Sequence, residues 1–307
     1  MERLDGSSVV PERLRGGIIA LGNFDGFHLG HQAVVGRAVA RARAEGRLAL
    51  VGTFDPHPIR HFVPDSAPFR LSTLDQRERW FADAGADAMV VFRFDDALAA
   101  LDAQAFVAQR LIAALGVGGV VTGGDFTFGK ARSGSVAALA AFGATHGFSV
   151  DTVDPVTLDG EPVSSTRVRE LLQQGDPRGA ARLLTRPFTI AGVVQHGDKL
   201  GRTIGYPTAN LDMGGYVRPA YGIYAVRGLL ADGRVVDGAA NLGIRPSFDP
   251  PKELLEPFFF DFSGDLYGQP LEVALVDYLR PEAKFDSLEA LTTQMDADCA
   301  RARALLA

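Results

Sequence analysis

The sequence has a single cysteine, Cys299, and lacks any apolar run long enough to span a membrane. An intrachain disulfide is therefore excluded, and we do not expect a zinc site built from cysteine ligands. Its 37 acidic residues outnumber the 31 lysines and arginines, and the net charge of −6 disfavours a general nucleic-acid-binding surface. The N-terminal residues lack the apolar core of a secretory signal. We expect a cytoplasmic protein without nucleic-acid or membrane partners, and self-association is left open.

Strand and helix patterns alternate in the first part of the chain. Short apolar runs at 18–21, 48–54, 89–94, 117–122 and 148–153 are typical of buried strands. Segments of helical period lie between them. This alternation predicts an α/β fold with a mostly parallel, doubly wound sheet.

The pattern changes near Pro187. Short β-type runs follow, separated by glycine, proline and aspartate, at 188–194, 222–230, 235–240, 257–262 and 271–279. They predict a small antiparallel β-barrel or β-sandwich. A final helix over 289–306 is expected to pack on this barrel through three apolar side chains, Leu291, Met295 and Leu305. We therefore predict two domains, 1–184 and 185–307.

The stretch from Gly22 to His31, Gly-Asn-Phe-Asp-Gly-Phe-His-Leu-Gly-His, joins the first of these strands to a helix. A glycine-rich turn at a helix start points backbone N–H groups at an anion and lets a phosphate approach the main chain. His28 and His31 stand three residues apart, so both rings can donate hydrogen bonds to oxygens that gain charge during group transfer. Four residues of the turn are further candidates for phosphate binding: Gly22, Asn23, Asp25 and Gly30.

Two other segments follow strands and are expected at the same edge of the sheet, because open α/β sheets bind ligands beyond their carboxyl ends. Asp55 and His57 follow the second predicted strand, and Asp125 and Phe126 follow the fourth. An aspartate beside an aromatic ring suits a planar ligand such as a flavin, although an Asp-Phe turn alone does not specify one. For His57 an ordinary loop histidine is the alternative.

Three hydroxyl residues, Ser164, Ser165 and Thr166, open a helix and are followed by two arginines, the first of which is Arg167. Hydroxyl side chains at a helix start usually cap it. Three hydroxyls and two arginines exceed what a cap requires, and they suit the β- and γ-phosphates of ATP, which form charge-assisted bonds with arginine. Together with the histidine pair they predict a phosphate clamp.

A second nucleotide-binding pattern lies in the barrel part. Four residues combine glycine with basic side chains that can enclose phosphates: Gly197, Lys199, Gly201 and Arg202. Thr208 and Asn210 offer oxygen atoms two residues apart, so both face one side of an extended segment. They suit Mg²⁺, which takes few protein ligands and keeps phosphate oxygens and water. A simple turn is the alternative for this segment.

The motifs and their order resemble one family along nearly the whole chain. The first half, with Gly-Asn-Phe-Asp-Gly-Phe-His-Leu-Gly-His, Thr-Phe-Asp-Pro-His-Pro, Gly-Asp-Phe-Thr-Phe-Gly and Ser-Ser-Thr-Arg-Val-Arg, is similar to the adenylyltransferase half of bacterial bifunctional riboflavin kinase/FAD synthetases. The second half, with Gly-Asp-Lys-Leu-Gly-Arg, Pro-Thr-Ala-Asn, Asn-Leu-Gly-Ile-Arg-Pro and Gly-Asp-Leu-Tyr-Gly, resembles the riboflavin kinase domain. The resemblance implies a Rossmann-like nucleotidyltransferase domain followed by a riboflavin kinase barrel with a C-terminal helix.

The resemblance also implies two reactions: phosphorylation of riboflavin by ATP to FMN, and adenylylation of FMN by ATP to FAD with release of pyrophosphate. ATP is then a co-substrate, Mg²⁺ is the expected metal, and no other tightly bound cofactor is expected. Glu256, at the spacing where the kinase family carries its glutamate, would be the general base. The flavin side of the adenylyltransferase site would include Asp55, His57, Asp125 and Phe126.

Three positions depart from the family pattern. Thr127 stands where a basic residue is frequent, which leaves any role of that position in doubt. Thr185 replaces a frequent glycine. Glu256 is followed by Pro257, so the strand is expected to begin there or to lie at a sheet edge.

Two alternatives stay open at this point. The chain could be another nucleotidyltransferase with a His-x-Gly-His motif and an unrelated C-terminal module, against which the barrel motifs argue. It could also be a degenerate flavin-binding regulator without catalysis. The presence of His28, His31, Thr208, Asn210 and Glu256 argues against a pure binding protein, which would not need groups that serve chemistry.

Overall fold

The computed structural model describes residues 1–196, 205–245 and 252–307. The chain forms two compact units. The first consists of Met1–Ala67 and Thr73–Ser164, and the second of Pro68–Ser72 and Ser165–Ala307. Within the described ranges, no helix combines the length and the apolarity needed to cross a membrane.

A parallel sheet forms the centre of the first unit. The strands of this unit are β1 (Glu2–Asp5), β2 (Ile18–Leu21), β3 (Ala49–Asp55), β4 (Ala88–Arg93), β5 (Gly119–Gly123), β6 (Thr127–Phe128), β7 (Gly134–Ser135), β8 (Ser149–Val153), β9 (Thr157–Leu158) and β10 (Glu161–Pro162). Six of them pair in parallel in the order β1-β4-β3-β2-β5-β8. The predicted doubly wound sheet is confirmed. β1 was not predicted, because this four-residue edge strand, Glu-Arg-Leu-Asp, contains a single apolar residue and so carries little hydrophobic signal.

Helices cover both faces of this sheet. They are α1 (Leu29–Ala44), α2 (Pro58–Phe62), α3 (Leu74–Asp83), α4 (Asp96–Ala99), α5 (Ala103–Phe106), which continues as a π-helix over Val107–Ala114, and α6 (Val136–His146). Alternate residues of β2 point to opposite faces. Ile18 belongs to the core under Val35 of α1, whereas Ile19 belongs to the core under Leu111 of the π-helix.

An antiparallel barrel forms the centre of the second unit. Its elements are α7 (Ser165–Gln173), α8 (Pro177–Leu184), β11 (Phe188–Val193), β12 (Leu211–Asp212), β13 (Gly222–Leu230), β14 (Val235–Arg245), β15 (Lys252–Phe259), β16 (Pro270–Arg280) and α9 (Leu288–Leu306). The strands are ordered β11-β16-β13-β14-β15-β12. Gln195 N donates to Asn210 O at 2.8 Å, which joins the two ends of the sheet and nearly closes the predicted barrel.

The C-terminal helix α9 packs on the outer face of the barrel. Ala302 and Leu306 lie in one core with Ala225 and Leu279, and Leu305 packs against it as predicted. The other two predicted contacts are only half-buried, namely Leu291 and Met295. The fully buried positions are Asp298, Ala302 and Leu306, because the last turns of the helix make the deepest contact with the barrel.

Pro257 lies within β15, so the expectation that the strand begins at this proline is wrong. The strand starts at Lys252, and Pro257 pairs with Ala240 of β14. The expectation that the strand lies at a sheet edge holds in part. On the side of β15 that faces away from β14, the short strand β12 pairs only with Leu254 and Leu255. Pro257 O accepts a hydrogen bond from Ala209 N at 3.0 Å on that outer side. The missing N–H of the proline faces the same way, and no ladder bond is lost.

Thr185 ends α8 in a left-handed conformation, with φ of 63°. Glycine adopts this conformation at lower cost than a β-branched residue. The geometry therefore accounts for the glycine that the family often has at this position.

Candidate active sites

The first candidate site lies at the carboxyl edge of the parallel sheet, where the strand order changes direction. From β2 the chain proceeds to β3 and β4 on one side and then returns to β5 on the other. Ligands of doubly wound sheets bind at such a switch point. Gly22 directly follows β2, Asp55 ends β3 and Gly123 ends β5, so the predicted segments meet at this edge.

Buried aromatic residues hold the loop after β2 in a strained shape. Phe24 and Phe27 have positive φ values of 51° and 43°, and both are buried, at 1% and 4% exposure. Each ring packs edge-to-face on Phe81 of α3, with centroid distances of 5.7 and 5.1 Å. Such backbone strain persists only where packing enforces it, and it is common in ligand-binding loops. The loop also buries Asp25, whereas the side chain of Asn23 is exposed.

The structure brings the two predicted histidines together at the start of α1. Their rings stack with a centroid distance of 3.6 Å and an angle of 19° between planes. His28 Nδ1 accepts a hydrogen bond from His31 N at 3.4 Å and thereby caps the helix. Because Nδ1 accepts, the proton of a neutral His28 ring sits on Nε2, which is then a donor.

The chain at Val163 passes close to Gly30 of the histidine motif. A Cβ at Gly30 would lie 3.2 Å from His28 Cε1 and 3.6 Å from Val163 O. Ser164, which follows Val163, therefore lies in a segment that passes close to the histidine motif. The next three residues of the predicted clamp open α7 in the second unit: Ser165, Thr166 and Arg167.

Arg77 is a residue of this site that the sequence did not indicate. Its guanidinium donates to Asn23 O at 3.1 Å and to Thr53 Oγ1 at 2.7 Å, and it forms an ion pair with Asp55 at 3.3 Å. Thr53 Oγ1 also donates to Asn23 O at 2.8 Å. Arg77 is only 4% exposed and ties the loop after β2 to the end of β3. The sequence does carry one signal for Arg77, because it lies four residues before Phe81 and therefore on the buried face of α3. Arginine is rarely buried without a partner, so an arginine on this face indicates an ion pair or a hydrogen-bond network.

The predicted flavin-side residues occupy the ends of β3 and β5. His57 Nδ1 accepts a hydrogen bond from Ile59 N at 3.3 Å, which makes it the N-cap of α2. Asp125 is exposed, and Phe126 is half-buried. The ring of Phe126 stacks on Phe128 at 5.6 Å, which fixes its orientation from the core side.

The second candidate site lies on the barrel around Glu256. This residue is half-buried in the middle of β15. The segment with Thr208 and Asn210 lies beside it, because Ala209 N bonds to the neighbouring Pro257 O. Among the described residues, Asn210 Oδ1 is buried and has no hydrogen-bond partner. The four predicted phosphate-binding residues Gly197, Lys199, Gly201 and Arg202 lie outside the described residues.

Tyr206 anchors the start of this segment to the C-terminal helix. Its hydroxyl donates to Asp296 of α9, and its ring packs edge-to-face on Phe258 at 5.0 Å. Burial, followed by the bond to Asp296, raises the pKa of Tyr206 to about 12. Tyr206 therefore stays a protonated donor at neutral pH.

A second ion cluster supports the start of β15. Glu253 accepts hydrogen bonds from the Tyr221 hydroxyl and from Arg218 Nε, the latter at 2.6 Å. The pKa of Glu253 is lowered because these two bonds and the charge of Arg218 outweigh its burial.

The described residues contain no group of three or more His, Cys, Asp or Glu side chains that could hold a metal ion.

Comparison with known proteins matches both halves of the chain. The FAD synthetase family model matches residues 10–167, and the riboflavin kinase family model matches residues 184–306. The chain belongs to the family of bifunctional riboflavin kinases/FMN adenylyltransferases. The bifunctional enzyme of Pseudomonas fluorescens is 42% identical over 294 residues, which cover 95% of this chain and 94% of the relative. That of Haemophilus influenzae is 39% identical over 95% of this chain and 94% of its own length.

A solved structure agrees with this assignment at the level of the fold. The crystal structure of a protein described as a macrolide-efflux protein from Streptococcus pneumoniae superposes with a TM-score of 0.86. It is 30% identical and covers 97% of both chains. Within the family assignment, the stacked histidines fall in the FAD synthetase part, and Thr208, Asn210 and Glu256 fall in the riboflavin kinase part.

Because Arg77 holds the loop after β2 in place, Arg77→Met should lower the rate of FMN adenylylation by about 10²-fold, the effect of a small misplacement of reacting groups. Riboflavin phosphorylation by the same protein should persist. Both rates can be measured by chromatography of riboflavin, FMN and FAD. Arg79→Met, on the exposed face of the same helix, is the matched control and should change neither rate. A normal adenylylation rate in Arg77→Met would contradict the positioning role.

Proposed function

We propose that the carboxyl edge of the parallel sheet is the FMN adenylyltransferase site and that the outer face of the barrel around Glu256 is the riboflavin kinase site. The two family models divide the chain between these two residue sets, and this observation carries the proposal. The chain phosphorylates riboflavin to FMN and ADP, and it adenylylates FMN to FAD and pyrophosphate. The expectations of a cytoplasmic setting and of no nucleic-acid partner stay predictions from composition.

In the adenylyltransferase site, an FMN phosphate oxygen attacks the α-phosphorus of ATP in line with the leaving pyrophosphate. One P–O bond forms and the bond to the β-phosphate bridge breaks, so no covalent enzyme intermediate is needed. His28 Nε2 and the His31 ring donate hydrogen bonds to the oxygens that gain charge. The sequence pattern and the resemblance assign further phosphate contacts to Gly22, Asn23, Asp25, Gly30, Ser164, Ser165, Thr166 and Arg167.

The flavin of FMN lies between the ends of β3 and β5 in this proposal. Phe126 offers a ring whose packing on Phe128 already fixes it. Asp125 is exposed and can accept hydrogen bonds from the flavin. Asp55 and His57 provide the opposite side. The capping bond of His57 leaves its Nε2 as the donor.

In the kinase site, Glu256 takes the proton of the ribityl 5′-hydroxyl as that oxygen attacks the γ-phosphorus of ATP. The bond between the γ-phosphorus and the bridging oxygen breaks, and ADP leaves with its electron pair. A primary alcohol is a poor nucleophile until its proton is removed. The nucleotide phosphates are assigned to Gly197, Lys199, Gly201 and Arg202 by the resemblance.

Thr208 and Asn210 fit a site for Mg²⁺. The buried Oδ1 of Asn210, which has no partner among the described residues, is a hard oxygen of the kind that Mg²⁺ prefers. When bound, the ion neutralises charge on the ATP phosphates. The side chains of Thr208 and Asn210 would hold the ion.

Asn210→Ala should therefore raise the Mg²⁺ concentration for half-maximal FMN formation by about 10–100-fold, the range seen when metal sites lose supporting groups. The Mg²⁺ dependence of FMN adenylylation in the same protein is the control and should not change. A kinase titration that superposes on that of the parent protein would contradict the metal assignment.

The proposed domain boundary between 184 and 185 can be tested with two fragments, 165–307 and 185–307. The shorter fragment should fold and phosphorylate riboflavin. The longer one should be more stable by about 3 kcal/mol or more, because it retains the buried Leu183 and Leu184 of α8 and the ion pair of Arg178 with Asp277 at 2.6 Å. Denaturant unfolding and FMN formation measure both properties. A shorter fragment that folds cooperatively yet lacks activity would contradict the boundary.

A further inference from the structure

The register of the barrel places Asn241 directly opposite Glu256. The two residues are partners in the antiparallel pair of β14 and β15. Opposite residues have Cβ atoms about 4.5–5.5 Å apart and point to the same face. On this face Asn241 neighbours Ile223 of β13, and Phe258 follows Glu256. Asn241 therefore borders the space in which Glu256 meets its substrate.

The amide of Asn241 has a fixed orientation. Its Nδ2 donates to Glu282 Oε1 at 3.3 Å. A carboxylate only accepts hydrogen bonds, so the nitrogen must face Glu282 and the oxygen must face away from it. Gly243 makes room for this arrangement, because a Cβ at that position would collide with Glu282 Oε1.

The oxygen on the other side of the amide has no partner in the described part of the chain. Oδ1 of Asn241 is buried and accepts no hydrogen bond there. A buried acceptor without a donor costs free energy, and native proteins rarely leave one unused. A bound ligand with a hydroxyl or amine would satisfy it.

The substrates differ in the groups that they could offer this oxygen. The phosphates of ATP accept hydrogen bonds, whereas the ribityl hydroxyls of riboflavin donate them. The single proton of the 5′-hydroxyl goes to Glu256, which leaves the adjacent 4′-hydroxyl as the nearest donor. We infer that Asn241 is a riboflavin-binding residue of the kinase site, whose Oδ1 accepts a hydrogen bond from the ribityl 4′-hydroxyl. This inference rests on the proposed role of Glu256.

The test pairs a protein variant with a substrate analogue. In the parent protein, 4′-deoxyriboflavin should be phosphorylated with kcat/KM about 10-fold below that of riboflavin, the size of one lost hydrogen bond at a buried group. In Asn241→Ala, kcat/KM with riboflavin should be about 10-fold below that of the parent protein. Replacing riboflavin by the analogue should then lower kcat/KM of this variant by less than a further 2-fold. The KM for ATP and the adenylylation of FMN should stay at parent values.

The inference would be overturned if removal of the 4′-hydroxyl lowered kcat/KM by the same factor in Asn241→Ala as in the parent protein. If Asn241→Ala does not fold, Asn241→Leu, which keeps a similar side-chain size and has no acceptor, gives the same comparison. Glu256→Gln separates this inference from the proposed base. A normal rate in Glu256→Gln with an intact coupling between Asn241 and the 4′-hydroxyl would remove the base role and leave the binding role standing.

Discussion

Replacing both His28 and His31 by alanine should abolish FAD formation while FMN formation continues. The two rings stack at the start of α1, and they are the proposed donors to oxygens that gain charge in adenylyl transfer. Loss of a donor of this type lowers a rate by about 10²–10³-fold per group. Both reactions can be followed in one sample by chromatography of riboflavin, FMN and FAD with ATP and Mg²⁺.

Single variants separate chemistry from stability at this site. His28 also caps α1, and loss of a cap costs about 1 kcal/mol. His28→Asn keeps a good capping side chain and removes the imidazole, so it should lose adenylylation with little loss of stability. His146→Ala, at an exposed position of the same unit, should behave like the parent protein. Equal loss of both activities in a folded double variant would contradict the assignment of the histidines to adenylylation.

The architecture could be predicted from the sequence wherever the local hydrophobic pattern of an element matches its burial in the fold. The runs of β2 to β5 are apolar because both faces of a parallel sheet are buried, and this made them visible. β1 and β12 were missed for the opposite reason. β1 is a charged edge strand, and β12 has only two residues.

The sites were only partly predictable, because some of their contacts join residues distant in sequence. Arg77 reaches Asn23 and Thr53 across 54 and 24 positions of the chain. The pairing of Asn241 with Glu256 depends on the register of β14 and β15, which no local pattern gives. A proline interrupts a strand where its missing N–H would have bonded to a neighbouring strand. Whether that side of Pro257 faces a partner is known only from the strand pairing, so the expectation that β15 begins at this proline was wrong.

Glu256→Gln should lower the rate of FMN formation by about 10²–10⁴-fold, the usual contribution of a positioned general base. Glutamine keeps the shape of the side chain and its place in β15, but it cannot take the proton of the 5′-hydroxyl. Riboflavin affinity should therefore change little, and adenylylation of supplied FMN should continue.

The position of Glu256 within the strand strengthens this expectation. Its neighbours Leu255 and Pro257 are held by β14 on one side, and Ala209 N bonds to Pro257 O on the other, so the carboxylate rests on rigid backbone. The matched control is Glu289→Gln, an exposed acid on α9, which should leave both rates unchanged. Titration of flavin fluorescence gives riboflavin binding separately from the rate. A Glu256→Gln protein that binds riboflavin and phosphorylates it at close to the parent rate would show that the proton leaves by another route.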